Sequence, residues 1–538
     1  MGYSAHVDTF ARDHLPPRAE WPELIFPLPE LQYPERLNCA SELLDRMAAQ
    51  HPDRPCMRAA GVSWTYGELL EQANRMAWVL VEEMGLVPGN RVLLRSPNHP
   101  LLVAAWFAVM KAGGIAVNTM PLLRAKELTE VVNKAQVSHA LCDGRLREEL
   151  EQARPRCPSL AQVAYWGDGG QLEAWMARKP ATFANVDTAS DDVCLIAFTS
   201  GTTGRPKGCM HFHRDVLAIC DTFAKHILRA TPEDVFTGSP PLAFTFGLGG
   251  LVLFPMRIGA SSVLLEKAGP DLLLPAISEY RASVVFSSPT AYRAMATQAK
   301  NFDLSSLRKC VSAGEPLPAS TRALWKEVTG LELIDGIGST EMLHIFISHT
   351  EAEAKPGATG KPVPGFEACV LDELGKPLPA GQIGRLAVKG PTGCRYLADE
   401  RQRNYVQHGW NITGDAYLMD EGGYFVYQAR TDDLIVSAGY NIAGPEVEDA
   451  LLLHPDVAEC AVVGVPDPDR GQIVKAFVVL RPGVSGSAEL VRELQDFVKQ
   501  RIAPYKYPRA IEFRESLPRT PTGKLQRFLL RQEAEGIR

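Results

Sequence analysis

Residues Thr199, Ser200, Gly201, Thr202, Thr203 and Gly204, continued by Arg205-Pro206-Lys207-Gly208, constrain this chain more than any other stretch. The apolar run at 193–198 before them reads as a buried strand. After them, Val216, Leu217, Ile219, Phe223, Ile227 and Leu228 recur at helical spacing,. The pattern predicts strand, glycine- and hydroxyl-rich loop, then helix. Such a loop turns backbone N–H groups toward an anion, adds hydroxyl donors and supplies a lysine charge, which makes it a phosphate cradle. The usual P-loop has Gly-Lys followed by Ser or Thr, and here Arg205-Pro206-Lys207-Gly208 follows Gly204 instead,. The loop is therefore expected to hold the phosphates of ATP in another way.

A chain of 538 residues exceeds what one hydrophobic core usually supports, so two or more domains are expected,. With 46% hydrophobic and 22% charged residues, the composition is that of an ordinary globular protein,. The net charge of −7 gives no electrostatic case for nucleic acid or an anionic membrane as partner,. The 11 cysteines show no C-x-x-C pair and no zinc-site spacing, which fits free thiols in a reducing cytoplasm,. The first residues lack the apolar segment of a signal peptide, and no run is long enough to span a bilayer,.

From residue 41 to 386, helix-period segments (65–83, 100–112, 319–329) alternate with short apolar runs (91–95, 262–265, 283–286, 331–334),. That alternation predicts an α/β fold with parallel-rich sheets and covering helices. Binding loops then belong at the carboxyl ends of strands. Three are expected there: the opening loop, Ser312-Ala313-Gly314-Glu315-Pro316, and the segment from Asp335 to Glu341. Beyond residue 386 the chain becomes richer in strands, at 424–427, 434–437, 461–465 and 476–480, with helices at 445–453 and 488–501. These make a small α+β unit. The domain boundary is expected in the turn Arg430-Thr431-Asp432-Asp433, giving a large N-terminal domain over 1–431 and a small one over 432–538.

In order along the chain stand the 199–208 loop, Ser339-Thr340-Glu341, Thr413-Gly414-Asp415, Arg430-Thr431-Asp432-Asp433 and Pro521-Thr522-Gly523-Lys524. With these motifs the chain resembles the adenylate-forming superfamily of acyl-CoA synthetases, luciferases and peptide-synthetase adenylation domains, over about residues 41–531. The resemblance implies that ATP is bound by Thr199 to Gly204, Lys207, Gly314, Glu315, Pro316, Asp335, Gly336, Ile337, Thr340, Asp415 and Arg430. It makes Glu341 the ligand of Mg²⁺, an ion that commonly takes one or two carboxylates plus phosphate oxygens,. Thr340 is assigned to the α-phosphate, and Asp415 to the ribose hydroxyls. Lys524 is assigned to bridge the acid's carboxylate and the α-phosphate, relieving the repulsion between two anions,. Asp432 resembles the hinge about which the small domain turns, and Ser437, Gly439 and Tyr440 the loop that receives coenzyme A,.

Two other spellings fail. His211-Phe212-His213-Arg214-Asp215 matches H-x-x-x-D of some acyltransferases but sits at the entry to the helix expected after the loop. Gly336-Ile337-Gly338 begins a dinucleotide fingerprint, but Glu341 takes the third glycine's position,.

Within the superfamily the resemblance is greatest to benzoate–CoA and 2-aminobenzoate–CoA ligases, carried by the run from Asp335 to Phe346, by 503–508 and by 7–13. It implies an acid site of Phe244, Thr245, Phe246, Gly247, Gly338 and His344. Thr245 and His344 offer polar groups to a substituted ring, and such groups favour a ligand that satisfies them,. The expected substrate is therefore 2-aminobenzoate, with benzoate as the alternative. An enzyme loading the acid onto a carrier protein would share every residue of the first step. A nucleotide-binding regulator would have lost Glu341, Asp415 or Lys524, and all three are present. The expected protein is a cytoplasmic monomer or homodimer.

Overall fold

The computed structural model describes residues 2–200, 206–431, 433, 435–437, 440–467, 470–502, 504–519 and 525–534, apart from the side chains of Ser200, Val436, Tyr440 and Asn441. The chain divides into two compact units, Met1–Ala368 with Val388–Asn411, and Cys369–Ala387 with Ile412–Arg538. The boundary expected after Thr431 lies inside the second unit.

Two sheets build the first unit. Nine strands run from edge to edge through Lys361–Pro362, Ile345–Ser348, Leu333–Gly338, Lys309–Ser312, Val284–Ser287, Val235–Gly238, Ser261–Val263, Pro55–Ala59 and Val62–Thr65. The interior pairs are parallel and the outer ones antiparallel. The second sheet has six strands, ordered Gln162–Trp166, His139–Asp143, Arg91–Arg95, Ile115–Thr119, Val193–Ser200 and Pro206–Phe212. All its pairs are parallel except the last. The α/β fold with parallel-rich sheets is as expected.

Local chemistry fixes the elements. The helix Tyr66–Trp78 starts at Thr65, whose hydroxyl accepts from the Glu68 N–H while Glu68 reaches back to the Thr65 N–H,. The helix Pro100–Lys111 begins with a proline, whose missing N–H costs nothing in a first turn,. The 11 cysteines are all free, and the Cys39 and Cys194 sulfurs lie with a ring nitrogen of His213 within 4.8 Å of one another. No helix among the described residues is long and apolar enough to cross a membrane.

In the second unit, Tyr440–Ile442, Ile435–Ser437, Gly471–Leu480 and Val457–Asp467 form an antiparallel run, with Ala510–Arg514 parallel to Gly471–Leu480. Val447 and Leu451 of one helix and Leu490, Leu494 and Val498 of another pack on it with Val462, Val474, Ala476 and Val478. Helices laid on an antiparallel sheet make the expected α+β unit.

One expectation is overturned. The strand Val193–Ser200 (β1) does not lead through its loop into a helix. It returns as the strand Pro206–Phe212 (β2), antiparallel to β1 with Thr199 opposite Lys207, and the helix starts only at His213. Cys209, Met210, His211 and Phe212 are all buried and extend the sheet before the helical periodicity begins. His211, expected at the helix entry, therefore belongs to a strand.

Candidate functional site

Lys207 sits near the start of β2, half-buried. Its ammonium donates to the Tyr396 hydroxyl at 2.8 Å and reaches Glu341 Oε1 at 3.5 Å. The Tyr396 hydroxyl in turn donates to the same carboxylate oxygen. Glu341 is buried, and its Oε2 takes no partner among the described residues. The Lys207 ammonium also lies 4.7 Å from the Tyr396 ring centroid. Burial and the neighbouring Glu341 charge push the Tyr396 hydroxyl far above its ordinary pKa, so it stays a donor,.

Glu341 follows a strand and a turn. The expected loop from Asp335 to Glu341 is corrected: Leu333–Gly338 (β3) is a strand, so Asp335, Gly336, Ile337 and Gly338 belong to the sheet. Ser312 stands opposite Asp335 on one side, while Ile345–Ser348 (β4) pairs antiparallel on the other. Only residues 339–344 form the connection. There the Thr340 carbonyl accepts from the Leu343 N–H at 3.2 Å, and Leu343 adopts φ +70°. Ser339 Oγ accepts from the Met342 N–H and lies 3.2 Å from the Tyr405 hydroxyl. A Cβ on Gly338 would stand 2.6 Å from the His344 carbonyl oxygen, so the return is built for glycine.

Behind this turn lies a buried polar group that the sequence did not reveal. His211 Nε2 lies 2.8 Å from the Thr340 carbonyl oxygen, which can only accept, so Nε2 carries the proton,. Its Nδ1 is 3.8 Å from Asp215, and Asp215 is ion-paired to Arg395. Burial alone would lower the His211 pKa; Cys209 and Asp215 together raise it,.

Asp335 is fully buried, and burial pushes its carboxyl up to about 7, against the pull of Arg322. Gly314 has φ +88°, and Glu315 accepts from the Thr290 hydroxyl at 2.7 Å. The Glu315 carboxylate is thus tied to the first turn of the helix Pro289–Ala296, while Pro316 is exposed.

Of the expected acid residues, Phe246 and Gly338 lie against His344. Phe246, Phe254, Phe223 and Phe286 stand 5.6, 4.5, 5.5 and 6.3 Å from its ring centroid. Both ring nitrogens are buried without a hydrogen-bonding partner among the described residues. Burial lowers the His344 pKa to about 3, so the imidazole is neutral; the Phe246 backbone opposes the shift without completing a hydrogen bond,. A Cβ on Gly249 would meet His344 Cδ2 at 2.4 Å. Thr245 opens the short helix Thr245–Leu248 and is buried with Gly247, whereas Phe244 is 37% exposed. Phe223, Gly249, Phe254 and Phe286 belong to this group and carry no motif.

In the second unit, Asp415 on the strand Trp410–Met419 (β5) stands opposite Arg430 on Phe425–Arg430 (β6), and the guanidinium donates to Asp415 Oδ1 at 3.1 Å. Ser437 and Tyr440, expected in a loop, are instead paired strand residues, and Ser437 is buried. Gly201, Thr202, Thr203, Gly204, Asp432, Gly439 and Lys524 lie outside the described residues, as do the side chains of Ser200 and Tyr440.

A hard Mg²⁺ ion takes oxygen ligands, commonly one carboxylate with substrate phosphates. Glu341, with Oε2 unengaged and Oε1 held by a hydroxyl, fits that demand.

The profile of the family described as AMP-binding enzyme matches residues 44–396, and that of the AMP-binding enzyme C-terminal domain matches 446–524. A benzoate–CoA ligase of Thauera aromatica is 34% identical over 514 residues, covering 94% of this chain and 97% of that protein. Among solved structures, the anthranilate CoA ligase AuaEII in complex with anthranoyl-AMP is 34% identical, with a TM-score of 0.89 over 94% of this chain and 99% of that one. A benzoate CoA ligase from Burkholderia xenovorans LB400 is 32% identical, with a TM-score of 0.82 over 92% of this chain and 100% of that one. Matched over most of its length by both profiles and by these relatives, the chain belongs to the family of AMP-binding enzymes and carries that family's C-terminal domain.

Proposed function

We propose that this chain is an AMP-forming aryl-CoA ligase, with 2-aminobenzoate as its preferred acid. Family membership and the similarity to CoA ligases support an AMP-forming acid–CoA ligase. The observation that carries the aromatic reading is the box around His344: four phenylalanines and a neutral imidazole with two unmet nitrogens. Aromatic walls suit a planar ring. A buried polar group without a partner costs free energy, and a ligand that supplies the partner recovers it. An ortho amine can donate to the imidazole, whereas unsubstituted benzoate offers only its carboxylate. Thr245, buried at the start of its short helix, adds a second polar contact for the ring.

In the first half-reaction an oxygen of the acid's carboxylate forms a bond to the α-phosphorus of ATP. The P–O bond to the β-phosphate breaks, and pyrophosphate leaves. Residues 199–204 and Lys207 hold the β- and γ-phosphates, with Gly314, Glu315 and Pro316 beside the nucleotide. Thr340 donates to the α-phosphate. Asp335, Gly336 and Ile337 receive the adenine, and Asp415 with Arg430 the ribose. Glu341 would hold Mg²⁺, which supplies charge neutralisation at the phosphate oxygens. Lys524 spans carboxylate and α-phosphate, where negative charge concentrates. In the second half-reaction the CoA sulfur attacks the acyl carbonyl, the thiol proton is lost and AMP departs. Ser437, Gly439 and Tyr440 serve this step once the domain after residue 431 has turned about Asp432. The same reading makes the protein a cytoplasmic enzyme without nucleic-acid or membrane partners.

Pyrophosphate release measured across benzoate, 2-aminobenzoate, the hydroxybenzoates and medium-chain fatty acids, with and without CoA, tests the proposal. The highest kcat/KM is expected for 2-aminobenzoate, with AMP and thioester formed in equal amounts. Benzoate ahead of 2-aminobenzoate would overturn the ortho assignment. A fatty acid ahead of both would overturn the aromatic one, and release without thioester would point to another acceptor than CoA.

A further inference from the structure

The buried trio His211, Asp215 and Arg395 has a place in the reaction that no motif assigns. All three side chains are fully buried. His211 Nε2–H donates to the Thr340 carbonyl at 2.8 Å. That carbonyl also caps the tight return through Leu343, so it is the anchored point of the turn bearing Thr340 and Glu341. The far side of the imidazole faces Asp215 at 3.8 Å, and Asp215 accepts from the Phe212 N–H at 3.0 Å as well as pairing with Arg395. Arg395 lies over the Phe212 ring at 4.0 Å, and the next residue is Tyr396, whose hydroxyl holds Glu341. Backbone bonds of 2.8 Å from Met210 N–H to the Arg395 carbonyl and from Leu397 N–H to the Gly208 carbonyl lock the 395–397 segment onto β2. The circuit is closed: β2 supplies Lys207 to the Glu341 carboxylate and His211 to the Thr340 carbonyl one residue before it.

We propose that His211 is a positioning residue for adenylate formation: it sets the height of the Thr340–Glu341 backbone so that the Thr340 hydroxyl and the Glu341 carboxylate meet the phosphates of ATP. Two buried charges and an imidazole are costly to keep in a core, and replacing them with apolar groups is often neutral for stability. Their value here is geometric. Displacement of a positioning group by about 1 Å costs on the order of 10²-fold in rate.

The proposal rests on the adenylation reading above, and the test separates the two. ATP–pyrophosphate exchange is measured with whichever acid the parent enzyme uses; a parent without exchange on any carboxylic acid refutes adenylation itself. Given exchange, His211→Phe, which keeps a flat ring and loses the donor, is expected to lower kcat for exchange roughly 10- to 100-fold. KM for the acid should stay within about threefold, since the acid contacts are untouched. His211→Gln, whose amide nitrogen falls near the position of Nε2, should recover most of the rate; His211→Asn, too short to reach Thr340, should not. Thioester formation from supplied acyl-adenylate should be unchanged in all of them. Equal rates for Gln and Asn, or equal loss of both half-reactions, would overturn the role. Should the Phe variant fail to fold, the Gln–Asn comparison decides alone.

Discussion

At Asp335 a carboxyl group is buried on an interior strand, and its Oδ1 has no hydrogen-bond partner among the described residues. Its pKa of about 7 in the fold lies above the 3.8 of an exposed aspartate. Between those values the unfolded chain has released the proton while the fold retains it, so stability falls as pH rises through that window and is flat outside it. Asp335→Asn removes the titration. Relative to that variant, the parent is expected to lose about 2–4 kcal/mol between pH 4 and pH 8, read from thermal melting of both proteins across the range. A constant gap between the two would show that Asp335 is ionised throughout. The position itself was legible in sequence, since Asp335 opens a motif. Tyr396, His211 and Arg395 were not: Tyr396 meets Glu341 across 55 residues, and Arg395 meets Asp215 across 180, distances that no spacing rule spans. The aromatic wall was half legible, because Phe246 adjoins a glycine-rich stretch while Phe254 and Phe286 look like any core phenylalanine.

Elements were legible where one signal acted alone and misread where two competed. The segment 319–329 carries a clean helical period and is the helix Ala319–Thr329. The stretch after Gly204 carries glycines, a proline and then helical apolar spacing, and the eye joins them into loop and helix. Burial of Cys209 through Phe212 beside β1 wins instead, and the cradle closes a hairpin. The β3–β4 pair makes a prediction at this scale. A Cβ on Gly336 would stand 2.7 Å from the Ile345 side chain, whereas one on Gly338 would stand 2.6 Å from the His344 backbone oxygen. A side chain can rotate away; a backbone carbonyl in a tight return cannot without moving Thr340 and Glu341. Gly338→Ala should therefore lower kcat/KM for pyrophosphate exchange at least about 10-fold more than Gly336→Ala. Matching losses would mean that the hairpin tolerates the shift.

For the whole molecule, the proposed division of labour assigns adenylate formation to Lys524 and the turn between half-reactions to Asp432. Lys524→Ala is expected to lower adenylate formation by at least about 10²-fold while thioester formation from supplied adenylate persists. Asp432→Pro, which fixes φ, should depress one half-reaction at least about 10-fold more than the other; even losses would count against a hinge there. Two units were legible from length and from the change of texture beyond residue 386. Their interleaving was not, because it rests on contacts far apart in sequence. The chain passes between the units three times, at Ala368–Cys369, Ala387–Val388 and Asn411–Ile412. Dissection of the gene follows from that path. Stopping the chain at residue 431 strands 369–387 and 412–431 without the rest of their unit, and starting it at 432 discards the same pieces. Swapping the smaller unit between relatives therefore needs two inserts rather than one junction, with 388–411 left in the host.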